Sequence, residues 1–173
     1  MSKIIMTTAQ IMKKLNMLEE KKELLRNQES ENHEYTVAQG EEACIPNYDF
    51  TEVNNAIEKL DEQIANLKHI INVENVKNTL NINGEEVTID RALVRMSQLQ
   101  RRKTVMNTMR LKQPKRRIQS YSFNSNRGVP EYEVLNYDLE LAKKEFERVD
   151  SIIATIQLEL DNYNHTHKIT VEE

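Results

Sequence analysis

The stretch Leu139–Tyr163, LELAKKEFERVDSIIATIQLELDNY, decides the fold. Leu139, Ala142, Phe146, Val149, Ile153, Ile156, Leu160 and Tyr163 step by three and four residues without a break. That spacing returns an apolar side chain to the same face of an α-helix every turn, so the stretch predicts a long amphipathic helix starting near Asn136 or Asp138. An upstream segment repeats the pattern: Val53, Ile57, Leu60, Ile64, Leu67 and Ile71 form a narrow, coiled-coil-like seam. This helix starts near Asp49 or Thr51, where Asp49 with Glu52 resembles a capping box, and it ends among Asn72, Asn75 and Asn78.

Two further helices follow from weaker patterns. Thr7 or Thr8 caps a first helix running to about Asn27, with Ile11, Leu15, Leu18 and Leu25 on one stripe. Thr88 or Asp90 caps a third, ending near Leu111 before Pro114, with Ile89, Leu93, Met96, Leu99 and Met106 as its buried stripe. Between the second and third helices, Leu80 and Ile82 alternate before Asn83-Gly84, and Val87 and Ile89 after it. Asn-Gly suits a two-residue turn because both central positions need positive φ. A second short hairpin fits Ile118–Val134 around Asn124-Ser125-Asn126-Arg127-Gly128. Gln28–Asp49 holds no sustained period and reads as a flexible connection, and His165-Thr166-His167 onward reads as a frayed tail. The expectation is a mainly α single domain: an antiparallel bundle of long helices with coiled-coil-like seams and one or two short β-hairpins.

Composition agrees with long helices: 173 residues, 38% hydrophobic and 30% charged, with three Gly, three Pro and no Trp. A narrow seam in a chain of this size buries more apolar area with a second copy, so a homo-oligomer is expected, a dimer or a multiple of one. A single cysteine, Cys44, excludes an intrachain disulfide, and no run approaches the ~20 apolar residues of a membrane span. A cytoplasmic protein is expected.

The net charge of -4 conceals an asymmetry. Thr88–Arg117 carries ten basic residues and one acid, Asp90, for a local net of +9, which leaves -13 on the rest. Charge separated in this way points to an anionic partner or to an acidic face on a neighbouring subunit.

The order of features resembles a small bacterial family of uncharacterised helical proteins often labelled septicolysin. The resemblance lies in Ile71-Asn72-Val73-Glu74-Asn75, the turn at Asn83-Gly84, the Thr88-Ile89 helix start and an arginine-rich loop before a last long helix. It covers roughly Thr51–Tyr163 and implies a helical fold. The family's usual Gln and Asn-Trp ending is not cleanly matched by Gln157 and Asn162-Tyr163, and the loop Ser120–Glu133 is longer than the family's. The label suggests a pore-forming toxin, yet the chain holds no membrane-inserting segment.

Reaction chemistry finds little footing. His33, His69, His165, His167 and Cys44 show no metal-ligand spacing, and neither a nucleophile elbow nor a glycine-rich phosphate loop is present. The sequence therefore points away from an enzyme, and no cofactor or metal is implied. The basic-aromatic stretch is the better candidate, because arginine forks grip anionic oxygens and aromatic rings stack on bases. Its ligand-binding residues are Arg102, Arg116, Arg117, Tyr121, Phe123 and Arg127. The expected function is sequestering an anionic, nucleotide-like small molecule in a pocket shared between subunits. The competing reading is a structural or interaction protein whose arginines pair with Glu140, Glu145, Glu147 or the acidic Glu29–Glu42 segment. A third reading, nucleic-acid binding through the basic helix, is opposed by the overall acidity.

Overall fold

The computed structural model describes residues 3–118 and 130–172. Its elements, in order, are β1 (Lys3–Thr7), α1 (Thr8–Asn32), α2 (Phe50–Lys77), β2 (Thr79–Ile82), β3 (Glu85–Thr88), α3 (Ile89–Arg110), β4 (Lys115–Arg117), β5 (Tyr132–Val134), α4 (Leu139–Thr166) and β6 (Lys168–Glu172). The fold is mainly α, with short strand pairs β1–β6, β2–β3 and β4–β5 among the described residues. The chain forms two compact units, one of Met1–Thr79 and Asp161–Glu173, the other of Leu80–Leu160.

In the first unit, α1 begins with a full capping box. The Thr7 hydroxyl accepts from the Gln10 N–H at 3.3 Å, and the Gln10 amide oxygen accepts from the Thr7 N–H at 2.8 Å. Helix α1 continues to Asn32, past the expected stop near Asn27, and residues 33–49 carry neither helix nor strand. Asp49 caps α2 by accepting from the Glu52 N–H at 2.9 Å, as the sequence indicates. Ile11 and Leu15 of α1 pack with Ile64 and Leu67 of α2. Further out, Glu19 meets Lys68 and Lys22 meets Asp61, so α1 and α2 run antiparallel.

The C-terminus departs from the expected frayed tail. Lys168–Glu172 pairs with β1 as an antiparallel ribbon in the register Ile4↔Val171 and Met6↔Ile169. Alternation then turns Ile169 and Val171 into the α1–α2 core, where they are 4% and 2% exposed. Burial of two β-branched side chains fixes the end of the chain.

In the second unit, Asn83 and Gly84 both take positive φ, 54° and 91°, and the Asn81 side-chain oxygen accepts from the Gly84 N–H at 2.9 Å. This is the geometry a two-residue turn requires, and Asn and Gly tolerate it best. Helix α3 buries Ile89, Ala92, Leu99 and Met106. Leu93, expected in that stripe, is 37% exposed, and Met96 is half-buried; the neighbouring Ala92 faces inward instead. Helix α4 buries Ala142, Val149, Ile153, Ile156 and Leu160. Asp138 caps it, accepting from the Glu140 and Leu141 N–H groups at 2.8 and 3.2 Å. The second hairpin pairs β4 with β5, Arg116 facing Glu133 and Arg117 facing Tyr132.

Candidate functional site

Charge follows the division into units. The first unit's sequence carries ten basic and seventeen acidic residues, net -7; the second carries fourteen and eleven, net +3. Helix α3 and β4 supply most of that positive charge, and the structure sorts their cations into three settings.

Along α4, cations are matched within the unit. Lys103 forms an ion pair with Asp150. The Arg110 guanidinium lies 4.0 Å from the Phe146 ring centroid and donates to Asn107 at 2.9 Å. Phe146 is thus a half-buried platform for a cation, which its place in the apolar repeat does not reveal. Glu145 is held below the usual carboxylate range, chiefly by its hydrogen bond from Arg148, with a smaller contribution from the charge of Arg102. Arg102 is exposed and makes no hydrogen bond or ion pair among the described residues.

The β4–β5 ribbon separates residues expected to converge. Arg116 donates two hydrogen bonds to one Glu133 oxygen, at 3.1 and 2.8 Å. Successive strand residues point to opposite faces, so Arg116 and Arg117 project away from each other and cannot grip one phosphate together. Lys115 and Arg117 share the other face, where the Lys115 ammonium lies 4.3 Å from the Tyr132 ring. Tyr121, Phe123 and Arg127 lie outside the described residues. Arg116 borders an open groove of about 690 Å³ with Lys112, Leu111, Glu133 and Val134. One wall of the groove is anchored by Tyr137, whose hydroxyl donates to the Met109 carbonyl at 2.8 Å. That bond, with the Lys112 N–H, occupies a carbonyl left over at the α3 C-terminus.

The third setting is the cleft between the β2–β3 hairpin and α3. It measures about 760 Å³ and is bordered by Glu85, Glu86 and Val87 of the hairpin, Arg91 and Arg95 of α3 and Ile152 of α4, among others. Arg91 and Arg95 stand one helical turn apart, and their side chains have no hydrogen-bond or ion-pair partner among the described residues. The sequence signal for this cleft is the Arg91–Arg95 spacing just beyond a tight hairpin.

In the first unit, Glu74, Asn78, Tyr163 and His167 form a compact cluster. His167 Nε2 lies 3.1 Å from a Glu74 oxygen, and Asn78 donates to the same oxygen at 3.0 Å. The His167 hydrogen bond, more than Asn78 or Lys77, holds the Glu74 carboxyl below its usual range against the opposing effect of burial. The Tyr163 ring stacks on His167 at 4.6 Å, and burial, aided by the Glu74 charge, pushes the Tyr163 hydroxyl up to about 12. The sequence leaves His167 in a tail; β6 carries it to Glu74. Among the described residues no three His, Cys, Asp or Glu side chains converge to hold a metal ion, and no helix is long and apolar enough to cross a membrane.

Comparison of the chain with protein-family models, curated proteins and solved structures found no match.

Proposed function

We propose that the chain is a non-enzymatic, self-associating helical protein that binds an anionic small molecule of nucleotide-like chemistry through its basic unit. One observation carries the reading: the side chains of Arg91, Arg95, Arg101, Lys112 and Arg117 are exposed and have no hydrogen-bond or ion-pair partner among the described residues. Arg91 and Arg95, one helical turn apart at one cleft, are like charges held close together at a cost in stability, which an anion accounts for better than packing does. The +3 of this unit against the -7 of the other supports local attraction of anions by a chain whose overall acidity disfavours long nucleic acid.

Self-association is supported by exposed apolar side chains on the helices, Met17 and Leu24 on α1 and Leu141 and Leu158 on α4, each more than 60% accessible. The assembly we propose is a dimer or a multiple of dimers, with coiled-coil-like helix pairing. The single exposed Cys44 suits a reducing compartment, and we assign the protein to the cytoplasm. A second reading, a purely structural or interaction protein, is favoured by the Arg116–Glu133 pair, in which the arginine already has its counter-charge.

The test is a thermal-shift panel of nucleotides, sugar phosphates, dicarboxylates and sulfated compounds on the full chain, run beside light scattering. At least one anion should raise the melting temperature in a concentration-dependent way, because a ligand of the native state stabilises it by mass action. Scattering should give a dimer mass or a multiple of it at micromolar concentration. A panel without a shift overturns the binding function, and a monomer mass overturns the assembly.

A further inference from the structure

We infer that the cleft between the β2–β3 hairpin and α3 is the anion site, and that its ligand is a phosphomonoester carrying a compact apolar body. This inference rests on the anion-binding reading above and gives it a place and a ligand class.

The geometry separates this cleft from the rest of the basic surface. Arg91 and Arg95 border it on one stripe of α3, with Gln98 one turn further along the same stripe. Residues four apart on a helix are neighbours, so the two arginine side chains leave adjacent turns of the same face. Each offers a planar fork of donors matched to phosphate oxygens. The α3 N-terminus is not the attraction: its first turn already carries the Asp90 carboxylate, held below the usual range first by the Thr88 hydroxyl and then by the Arg91 and Asp90 N–H groups. The positive charge of the cleft is that of the two arginines at its α3 side, and Glu85 and Glu86 place two carboxylates at its hairpin end.

The remaining wall is apolar and comes from two other elements. Ile82 and Val87 of the hairpin are half-buried, and Ile152 and the buried Ile156 of α4 close the floor. Inorganic phosphate satisfies the arginines and leaves this wall wet. A phosphomonoester places its dianion on Arg91 and Arg95 and covers Ile82, Val87 and Ile152 with its organic part. The volume of about 760 Å³ lies within the range of small-molecule sites, about 300–1,000 Å³, and admits a body the size of a nucleoside. Asn83 and Glu85 at the hairpin end of the cleft provide amide and carboxylate groups that hydrogen-bond a nucleobase and have no use for a phenyl ring. Aryl and nucleoside phosphates share the required chemistry, and the experiment separates them.

The experiment is calorimetric titration of the full chain with inorganic phosphate, phenyl phosphate and adenosine monophosphate. It is repeated on Arg91→Gln/Arg95→Gln and on Arg116→Gln, after circular dichroism shows that both variants keep the parent's helix content. Phenyl phosphate and adenosine monophosphate should each bind the parent at least about tenfold more tightly than inorganic phosphate, the contribution of the apolar wall. The double variant should lose about ten- to a hundredfold for both esters, since two charge-assisted contacts are removed. Arg116→Gln should bind as the parent does. A nucleoside preference over phenyl assigns the hairpin end to base recognition, whereas equal binding of the two esters supports the cleft with a general aryl pocket. Equal affinities for phosphate and its esters overturn the inference. Binding that survives in the double variant and disappears in Arg116→Gln also overturns it, moving the site to the β4–β5 groove while the anion-binding reading stands. If none of the phosphates binds but another anion of the thermal-shift panel does, the ligand class is wrong and the anion-binding reading stands; if nothing on that panel binds, that reading fails as well.

Discussion

Helices α1 and α2 in the first unit and helix α3 in the second are built from the same ingredients and treat charge in opposite ways. Between α1 and α2 the long polar side chains bordering the apolar stripe meet partners of opposite sign, Lys22 with Asp61 and Lys68 with Glu19. On α3, Lys103 and Arg110 are engaged beside α4, but the side chains of Arg91 and Arg95 have no ion-pair partner among the described residues. The fold thus pairs charge where two helices must hold each other. It leaves charge unpaired where the helix borders a cleft. Basic residues that a fold does not use for packing are the ones to examine for a ligand.

The two apolar seams carry the largest expected effects. Ile64 in the first unit and Ile153 in the second are 5% and 6% exposed. An aspartate at either position buries a carboxylate without a partner, which costs roughly 3 kcal/mol or more. Urea unfolding followed by circular dichroism should show a large loss for Ile64→Asp and for Ile153→Asp. If one variant unfolds at the parent's midpoint, that seam does not support its unit.

The seams were legible because helix periodicity is a local property. The apolar stripes of α2 and α4, the Asp49 cap and the Asn83-Gly84 turn are each written within a few residues of where they act. The β1–β6 ribbon was not legible: Ile4 and Ile5 are too few to declare a strand, and their partners Val171 and Thr170 stand at the other end of the chain. Ala92 displaced Leu93 from the buried stripe because periodicity leaves an ambiguity of one position and residue size settled it wrongly. At the candidate site, sequence reasoning found the basic segment but grouped Arg116 with Arg117, neighbours in sequence that strand alternation sends to opposite faces. The role proposed for the Arg91–Arg95 pair is not written locally, because it depends on Ile152 of α4 arriving across the cleft.

A smaller effect is expected where α4 ends and β6 begins. The Tyr163 hydroxyl is buried without a hydrogen-bond partner among the described residues, and a buried hydroxyl in that state costs about 1–3 kcal/mol. Tyr163→Phe keeps the ring that stacks on His167 and removes the cost, so it should raise stability by about 1 kcal/mol or more. Spectroscopic titration supplies the companion measurement. Tyr163, shifted to about 12, should be among the last of the six tyrosines to ionise. The shift is upward, so the folded state keeps its proton longer than the unfolded chain; stability is intact below the ordinary tyrosine value of 10.0 and falls as pH rises toward 12. A tyrosinate spectrum that completes at the ordinary value contradicts the burial of this ring.

Glu74 titrates in the opposite sense. Its carboxyl is held below 4.5, first by His167 and then by Asn78 and Lys77. A depressed carboxylate contributes stability that is present above its unfolded value and lost as pH falls through the folded one. Glu74→Gln should therefore cost about 1 kcal/mol near neutral pH, and the difference from the parent should shrink steadily below about pH 5. A difference that stays constant from neutral to acid pH removes Glu74 from the list of groups that couple this unit to pH.

The last and smallest effect is a difference of sign between two exposed cations. Lys68 in the first unit has Glu19 at 2.8 Å, and both side chains remain about half exposed. Exposed pairs of this kind contribute about 0.2–1 kcal/mol, so Lys68→Gln should destabilise by a few tenths. Arg95 in the second unit has Arg91 one turn away and no hydrogen-bond or ion-pair partner among the described residues. A like-charged neighbour at that spacing is unfavourable by about 0.2–0.5 kcal/mol, so Arg95→Gln should leave stability unchanged or raise it slightly. Both changes remove one positive charge from an exposed helical face, so the signs report the surroundings and little else. Added salt should move the two variants toward the parent from opposite sides, since screening weakens attraction and repulsion alike. Should Arg95→Gln lower the melting temperature as much as Lys68→Gln does, Arg95 has a structural partner after all. The contrast between a paired and an unpaired surface would then have no energetic content.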